Sequence, residues 1–236
     1  MKVFRKVTII VFLFSTATVA AQNWKSHSAN ILPQKRFEVG LFQPFRYGYN
    51  QTLEYSTYPI WFFLMPNVTI KKSHNDFQSY SMATKWSMYY PGPMLNLAAK
   101  KGVGGFIDPN LEIPSMIGLS ASLLMSKTIL DMDITFNSGL DIGFSLGDLD
   151  NRVNIELPLL YHRLSVFHNN YGFHTGLDIG KNITKKISTH IDFDFSILPG
   201  LDTKKTDSRI AKLLGEYSFE HKALIIYERS DTFRFL

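Results

Sequence analysis

Residues 131–146 read DMDITFNSGLDIGFSL, and apolar and polar side chains alternate along the whole stretch. One alternate set is apolar except for a single serine: Met132, Ile134, Phe136, Ser138, Leu140, Ile142, Phe144 and Leu146. The other set contains only polar residues and glycines. Because successive side chains of a β-strand point to opposite faces, the stretch predicts a long strand with one apolar and one polar face.

A turn at the triplet Asn137-Ser138-Gly139 is the alternative interpretation of this stretch. A three-residue turn with Gly139 in the left-handed conformation would preserve the alternation. It would also leave strands of about six residues, which are too short to cross a bilayer. A membrane-spanning fold therefore requires one continuous strand here, and a turn would contradict it.

The alternation recurs in residues 77–90, 152–161 and 187–197, with tight turns and longer loops between such segments. The apolar face is rich in aromatic residues, and the other face carries small polar residues, glycines and few lysines. A soluble sandwich exposes a more highly charged face, whereas a narrow barrel interior accepts small polar side chains. We therefore predict an all-β fold, an antiparallel up-and-down transmembrane β-barrel of about 10 strands, within a range of 8–12.

The first 21 residues have the layout of a secretory signal peptide. A basic start with Lys2, Arg5 and Lys6 precedes the apolar run VTIIVFLF at positions 7–14, and small residues follow up to Ala21. The apolar run is shorter than the roughly 20 residues of a spanning helix, which favours a cleaved signal over an anchor.

The rest of the chain predicts a single β-barrel domain at residues 35–236, preceded by a flexible lead-in at residues 22–34. Within the domain, residues 91–115 are rich in proline and glycine and form a long loop. Its apolar residues favour an ordered loop or a plug over a solvated one.

Charge and cysteine content narrow the functional classes. The formal net charge of +5 falls to 5 − 3 = +2 without the three basic residues of the signal, so nucleic acid is not an expected partner. An exported chain of this length without cysteine fits the Gram-negative cell envelope better than a disulfide-rich secreted domain.

This combination of signal peptide, absent cysteine, alternating strands and tight turns resembles bacterial outer-membrane β-barrel proteins. The stretches LFQPF at 41–45 and FLMPN at 63–67 resemble sequences of such proteins. The resemblance implies a place in the outer membrane of a Gram-negative bacterium, with the lipid bilayer and the barrel-assembly machinery as partners. One departure is the short final stretch TFRFL at 232–236, so residues 223–236 either form one irregular strand or leave an unpaired edge.

A set of acidic residues and histidines is expected to face the barrel interior: Asp131, Asp133, Asp141, His174, Asp178, His190, Asp192 and Asp194. Such a set could bind a metal or transfer protons. The scattered spacing favours a hydrogen-bonded network instead, so we assign no metal and no cofactor. The motif GLDIG occurs at 139–143 and again at 176–180, and in each copy the aspartate between two glycines should point inward.

The predicted role is passage or binding of a small solute or lipid in a porin-like barrel, or a structural role in the envelope. A lipid-modifying enzyme is the first alternative, with Ser165 paired with His162 or His168 as the candidate catalytic residues. This alternative is weaker because nothing in the sequence supplies a third, orienting group. A soluble lipocalin-like binding protein is the second alternative.

Overall fold

The structure is a computed structural model that describes residues 27–39, 44–100, 107–150, 153, 165–198, 217–230 and 233–235. Within these ranges, eleven strands form one sheet in which each strand pairs with its neighbours in sequence. The strands are β1 (Phe37–Glu38), β2 (Phe45–Gly48), β3 (Leu53–Thr57), β4 (Asn67–Ser73), β5 (Ser81–Tyr89), β6 (Met116–Ile129), β7 (Met132–Ser145), β8 (Tyr171–Asn182), β9 (Ile187–Ile197), β10 (Tyr217–Ser230) and β11 (Phe233–Phe235). Three short helices are α1 (Pro59–Phe62), α2 (Gly92–Ala99) and α3 (Ser165–Asn169).

All strand pairs are antiparallel, which confirms the predicted all-β, up-and-down arrangement. Within the described residues β1 and β11 are the two edges of the sheet, and no pairing joins them. The predicted strand at 152–161 lies almost wholly outside the described residues. β7 and β8 pair directly with each other.

The stretch 131–146 forms one continuous strand from Met132 to Ser145, as the alternation predicted. Its register to β6 and to β8 continues without a break through Asn137, Ser138 and Gly139. The preceding turn consists of Leu130 and Asp131, whose φ angles of 49° and 61° are those of a two-residue hairpin turn that matches the twist of its strands. The alternative turn at Asn137 is therefore wrong.

The two ends of the sheet differ in the length of their connections. At one end the turns are short, as between β6 and β7 and between β8 and β9. At the other end the connections are long and carry all three helices. A short-turn end and a long-loop end are the arrangement expected of up-and-down membrane barrels.

The sheet buries its polar face and exposes its apolar face. In β6, Ser120, Ser122 and Ser126 are buried, whereas Leu119 and Leu123 are more than a third exposed. β7, β8 and β9 follow the same rule, and β5 likewise exposes Trp86 and Met88. This is the reverse of a soluble domain, in which the apolar face is the buried one.

A segment at the start of the described chain, residues 27–33, lies against the polar face, and we call it the N-terminal strap. Its Ala29 amide donates to Ser126 Oγ of β6 at 2.7 Å, and its Leu32 amide donates to Glu54 Oε2 of β3 at 2.8 Å. Lys71 of β4 donates to the Ser28 carbonyl at 3.1 Å. Where the sequence predicted a flexible lead-in, this part of the chain is held by hydrogen bonds to three strands.

The strap also shows how strongly the sheet is curved. The ring of His27 contacts that of His190 in β9, with centroids 5.7 Å apart, while Leu32 contacts β3. In a flat sheet β3 and β9 would be about 29 Å apart, at roughly 4.8 Å per strand. The five steps from His27 to Leu32 span at most about 17 Å. These contacts indicate that the sheet curves towards the strap, with the polar face on its concave side.

An apolar cluster closes the long-loop end of this interior. Tyr89 and Met116, at the facing ends of β5 and β6, pack with Leu95 of α2 and Phe167 of α3. The other buried members of the cluster are Met65, Ala99, Ile107 and Val153. The loop predicted at 91–115 is thus partly helical, and its described residues cover the end of the sheet.

Interior glycines make room for large side chains from neighbouring strands. A Cβ on Gly118 of β6 would overlap the ring of Tyr89, which lies directly opposite in β5. A Cβ on Gly139 would lie 2.6 Å from the His174 imidazole. Strands lose stability when glycine is placed in their interior, so these glycines reflect close packing across the polar face.

Gly118→Ala should therefore destabilise the fold by about 1–3 kcal/mol, because the buried Tyr89 ring has to move. Urea titrations that follow tryptophan fluorescence would measure the change. Ala121→Val, three residues further along β6 on the exposed face, serves as the control and should leave the unfolding midpoint unchanged. An equal midpoint for the two variants would contradict the packing of Tyr89 over Gly118.

Candidate functional site

The polar interior is organised by the repeated GLDIG motif. Asp141 in the first copy and Asp178 in the second are both buried, and each lies beside a histidine of the next strand. In each pair the histidine is directly opposite a glycine of the motif, Gly139 for His174 and Gly180 for His190. The motif thus supplies the aspartate of two Asp–His contacts, but the histidine is opposite the first glycine in one copy and opposite the last glycine in the other.

The first pair extends to a third residue. His174 Nδ1 lies 2.8 Å from Asp141 Oδ2, and His174 Nε2 lies 3.0 Å from Ser122 Oγ. Ser122, Gly139 and His174 occupy facing positions in β6, β7 and β8, so the imidazole reaches across the glycine to the serine. A carboxylate, an imidazole and a hydroxyl are therefore hydrogen-bonded in series on the buried face.

The second pair lies nearer the short-turn end. His190 Nε2 is 3.0 Å from Asp178 Oδ1, and both side chains are about nine-tenths buried. The strap residue His27 stacks at a tilt on His190, so the strap covers this pair. Asp192, directly opposite Asp178, forms an ion pair of 2.8 Å with Lys222 of β10, and Asp194 lies 3.7 Å from the same lysine.

A compact cluster of charges occupies the opposite part of the interior. Arg46 of β2 donates to both carboxylate oxygens of Glu54 at 2.9 Å and to Glu38 at 3.0 Å. Lys71 Nζ lies 3.7 Å from Glu54 Oε1. The side chains of Arg46, Glu54 and Lys71 are only 3% exposed, so their charges must be balanced by one another.

The predicted interior residues are distributed as follows. Asp141, His174, Asp178, His190, Asp192 and Asp194 share the buried polar face and form the contacts above. Asp133 is on the same face but near the strand end, where its carboxylate accepts a hydrogen bond from Thr128 at 2.9 Å. Asp131 is in the turn between β6 and β7, because the hairpin takes both Leu130 and Asp131 out of the strands.

Two of the three predicted catalytic residues, Ser165 and His168, lie at the long-loop end. Ser165 and His168 belong to α3, while His162 and the side chain of Ser165 fall outside the described part of the chain. His168 hydrogen-bonds the backbone of Val153, and burial lowers the pKa of its imidazole, an effect that this hydrogen bond opposes. The predicted pairing of Ser165 with His162 or His168 therefore stays a prediction.

Sequence reasoning missed Ser122 and the cluster of Arg46, Glu54 and Lys71. Serines at 120, 122 and 126 share one parity in β6, and that pattern was a usable signal for an inward polar face. The serine–histidine contact joins residues 52 positions apart, so it depends on the register of three strands. The alternation of residues within one strand does not predict how that strand is aligned with its neighbours.

No group of three or more histidine, aspartate or glutamate side chains suited to a metal ion occurs in the described ranges. Helices there are all too short or too polar to cross a membrane. Comparison with known proteins found no matching family model, no matching curated protein and no matching solved structure.

The buried charge cluster makes a testable contribution to stability. Glu54→Ala leaves Arg46 and Lys71 without their shared carboxylate and should destabilise the fold by about 3–5 kcal/mol. Glu38→Ala removes the more exposed carboxylate beside Arg46 and should cost no more than about 1 kcal/mol. Urea unfolding of the two variants and the parent chain would measure both values, and similar losses would contradict the buried cluster.

Proposed function

We propose that this protein is an integral outer-membrane β-barrel whose interior is occupied by its own chain. In this proposal the apolar face contacts lipid, and the edges at β1 and β11 come together to close the sheet. The role follows from the occupied interior, which favours binding or a structural role in the envelope over free passage of solutes.

The inverted burial of the sheet is the observation that carries the proposal. Charged residues such as Glu54, Lys71 and Asp192 are at most 4% exposed, while Phe136 and Phe144 of β7 are about half exposed. In water, exposed apolar faces on several long strands would be an aggregation hazard. In a membrane, lipid chains cover these apolar faces and the hazard disappears. A soluble lipocalin-like fold would place its apolar residues inside, which is the reverse arrangement.

Strand lengths and aromatic positions support the same proposal. β6 to β10 each contain 11–14 residues, and a tilted membrane strand needs about 9–11. Exposed tyrosines occur at both ends of these strands, with Tyr171 and Tyr217 at the long-loop end and Tyr227 near the other. Aromatic belts at the two interfaces are characteristic of membrane barrels.

Closure of the sheet is supported by contacts across the interior. The strap joins β3, β4, β6 and β9 within seven residues. Open edges are costly in lipid because their backbone groups lack partners, so a membrane location requires that the remaining edges pair.

The membrane location predicts a stable, heat-modifiable protein. The full chain should sediment with outer membranes, resist extraction with alkaline carbonate, and migrate differently in unheated and boiled samples on a denaturing gel. As a control for folding, Gly118→Ala should lower the temperature of the gel shift. Full solubility without detergent after removal of the signal would overturn the proposal.

The occupied interior predicts very low conductance in planar bilayers. The full chain should give no steady pore current, whereas a variant that lacks residues 27–33 should conduct if the strap is what fills the short-turn half. The gel shift of the deletion variant shows whether it has folded. A steady current from the unaltered chain would instead support the porin-like role.

A further inference from the structure

We infer that Ser122, His174 and Asp141 form a nucleophilic triad that hydrolyses small, uncharged carboxylic esters inside the sheet. This inference concerns the interior alone and does not depend on the membrane location. Its failure and the failure of the proposed location are therefore separate experimental results.

The order of the atoms is the first argument for the triad. Asp141 contacts Nδ1 of His174, and Ser122 contacts Nε2. An ionised carboxylate only accepts hydrogen bonds, so a neutral imidazole carries its proton on Nδ1 and donates it to Asp141. Nε2 then accepts from the Ser122 hydroxyl. This direction of hydrogen bonds lets histidine act as a general base towards serine, and such triads are recognised by geometry and not by fold.

The way in which the triad is held is the second argument. Three adjacent strands fix the three side chains, and Gly139 between Ser122 and His174 leaves the space that the imidazole occupies. The carboxylate and imidazole side chains are 11% and 18% exposed. A rigid scaffold that sets the tautomer of a histidine in this way preorganises proton transfer.

A hydroxyl next to the triad supplies an unused donor. Ser120, two residues before Ser122 on the same face, is 5% exposed, and its Oγ has no hydrogen-bond partner among the described residues. Alternate residues of a strand are about 7 Å apart, so the Ser120 hydroxyl reaches an oxygen bound at Ser122 when its side chain turns towards Ser122. We assign Ser120 the role of donor to the oxygen that becomes negatively charged in the transition state.

The reaction is ester plus water to carboxylic acid plus alcohol. Ser122 Oγ attacks the carbonyl carbon while its proton moves to His174 Nε2 and the carbonyl oxygen becomes an oxyanion. The intermediate collapses as the bond to the alcohol oxygen breaks, and His174 returns the proton to that oxygen. Water then attacks the acyl-serine with His174 again as base, and this step releases the acid and restores Ser122.

The substrate class follows from the surroundings. Ser122 is 5% exposed, and its neighbours on the same face of β6 include Ser120 and Gly118, so the inferred substrate is limited to a small acyl group. The carboxylate of Asp141 disfavours an additional negative charge at this depth, so the ester is uncharged. A short acyl ester such as p-nitrophenyl acetate is the matching probe.

The test uses the refolded full chain, with folding verified by the gel shift or by tryptophan fluorescence. A small alkyl fluorophosphonate should attach to the peptide that contains Ser122, as shown by mass spectrometry. Ser122→Ala and His174→Ala should abolish the labelling, and Asp141→Asn should slow it by at least 100-fold. Ser196→Ala is the matched control, because Ser196 is opposite His174 on its other side, and this variant should label like the parent.

Hydrolysis of p-nitrophenyl acetate should be lost in Ser122→Ala and His174→Ala, slowed in Asp141→Asn and unchanged in Ser196→Ala. Ser120→Ala should lower kcat with little effect on KM. A folded chain that is not labelled at Ser122 would overturn the inference and leave a polar network only. Labelling that persists in folded Ser122→Ala would overturn it equally.

Discussion

Charged and polar side chains buried against one face of the sheet must find their partners within the molecule, and the rest of the structure depends on this constraint. Arg46, Glu54 and Lys71 satisfy it as a cluster, while Asp141 and Asp178 satisfy it with histidines. A buried charge without a partner costs several kcal/mol, so each pairing fixes the register of the strands that carry it.

The strap and the glycines are consequences of the same constraint. The strap brings backbone amides and a carbonyl to Ser126, Glu54 and Lys71, which gives these inward side chains additional partners. Gly139 lets one side chain lie across the neighbouring strand, so that donor and acceptor meet at hydrogen-bond distance. The same positions in the sequence thus provide hydrogen-bond partners for buried polar groups and allow the side chains to pack closely.

Sequence analysis succeeded where the signal is local. The alternation in 131–146 correctly predicted one unbroken strand, and parity placed Asp141 and His174 on the same face. It failed where the residues in contact are far apart in the sequence. The strap has no periodicity, and its bond to Ser126 spans 97 residues. Ser122 meets His174 only because β6, β7 and β8 pair in one particular register. The order of residues within a single strand does not specify that register.

The absence of cysteine allows a direct test of which face contacts lipid, since any introduced cysteine is unique. Single nitroxide labels at positions 117–124 of β6, in lipid vesicles, report accessibility to oxygen and to a water-soluble nickel chelate. The inverted sheet predicts high oxygen accessibility at Ile117, Leu119 and Leu123, and low accessibility to both reagents at Ser120 and Leu124. High accessibility to the nickel chelate at Leu119 and Leu123 would contradict the membrane location.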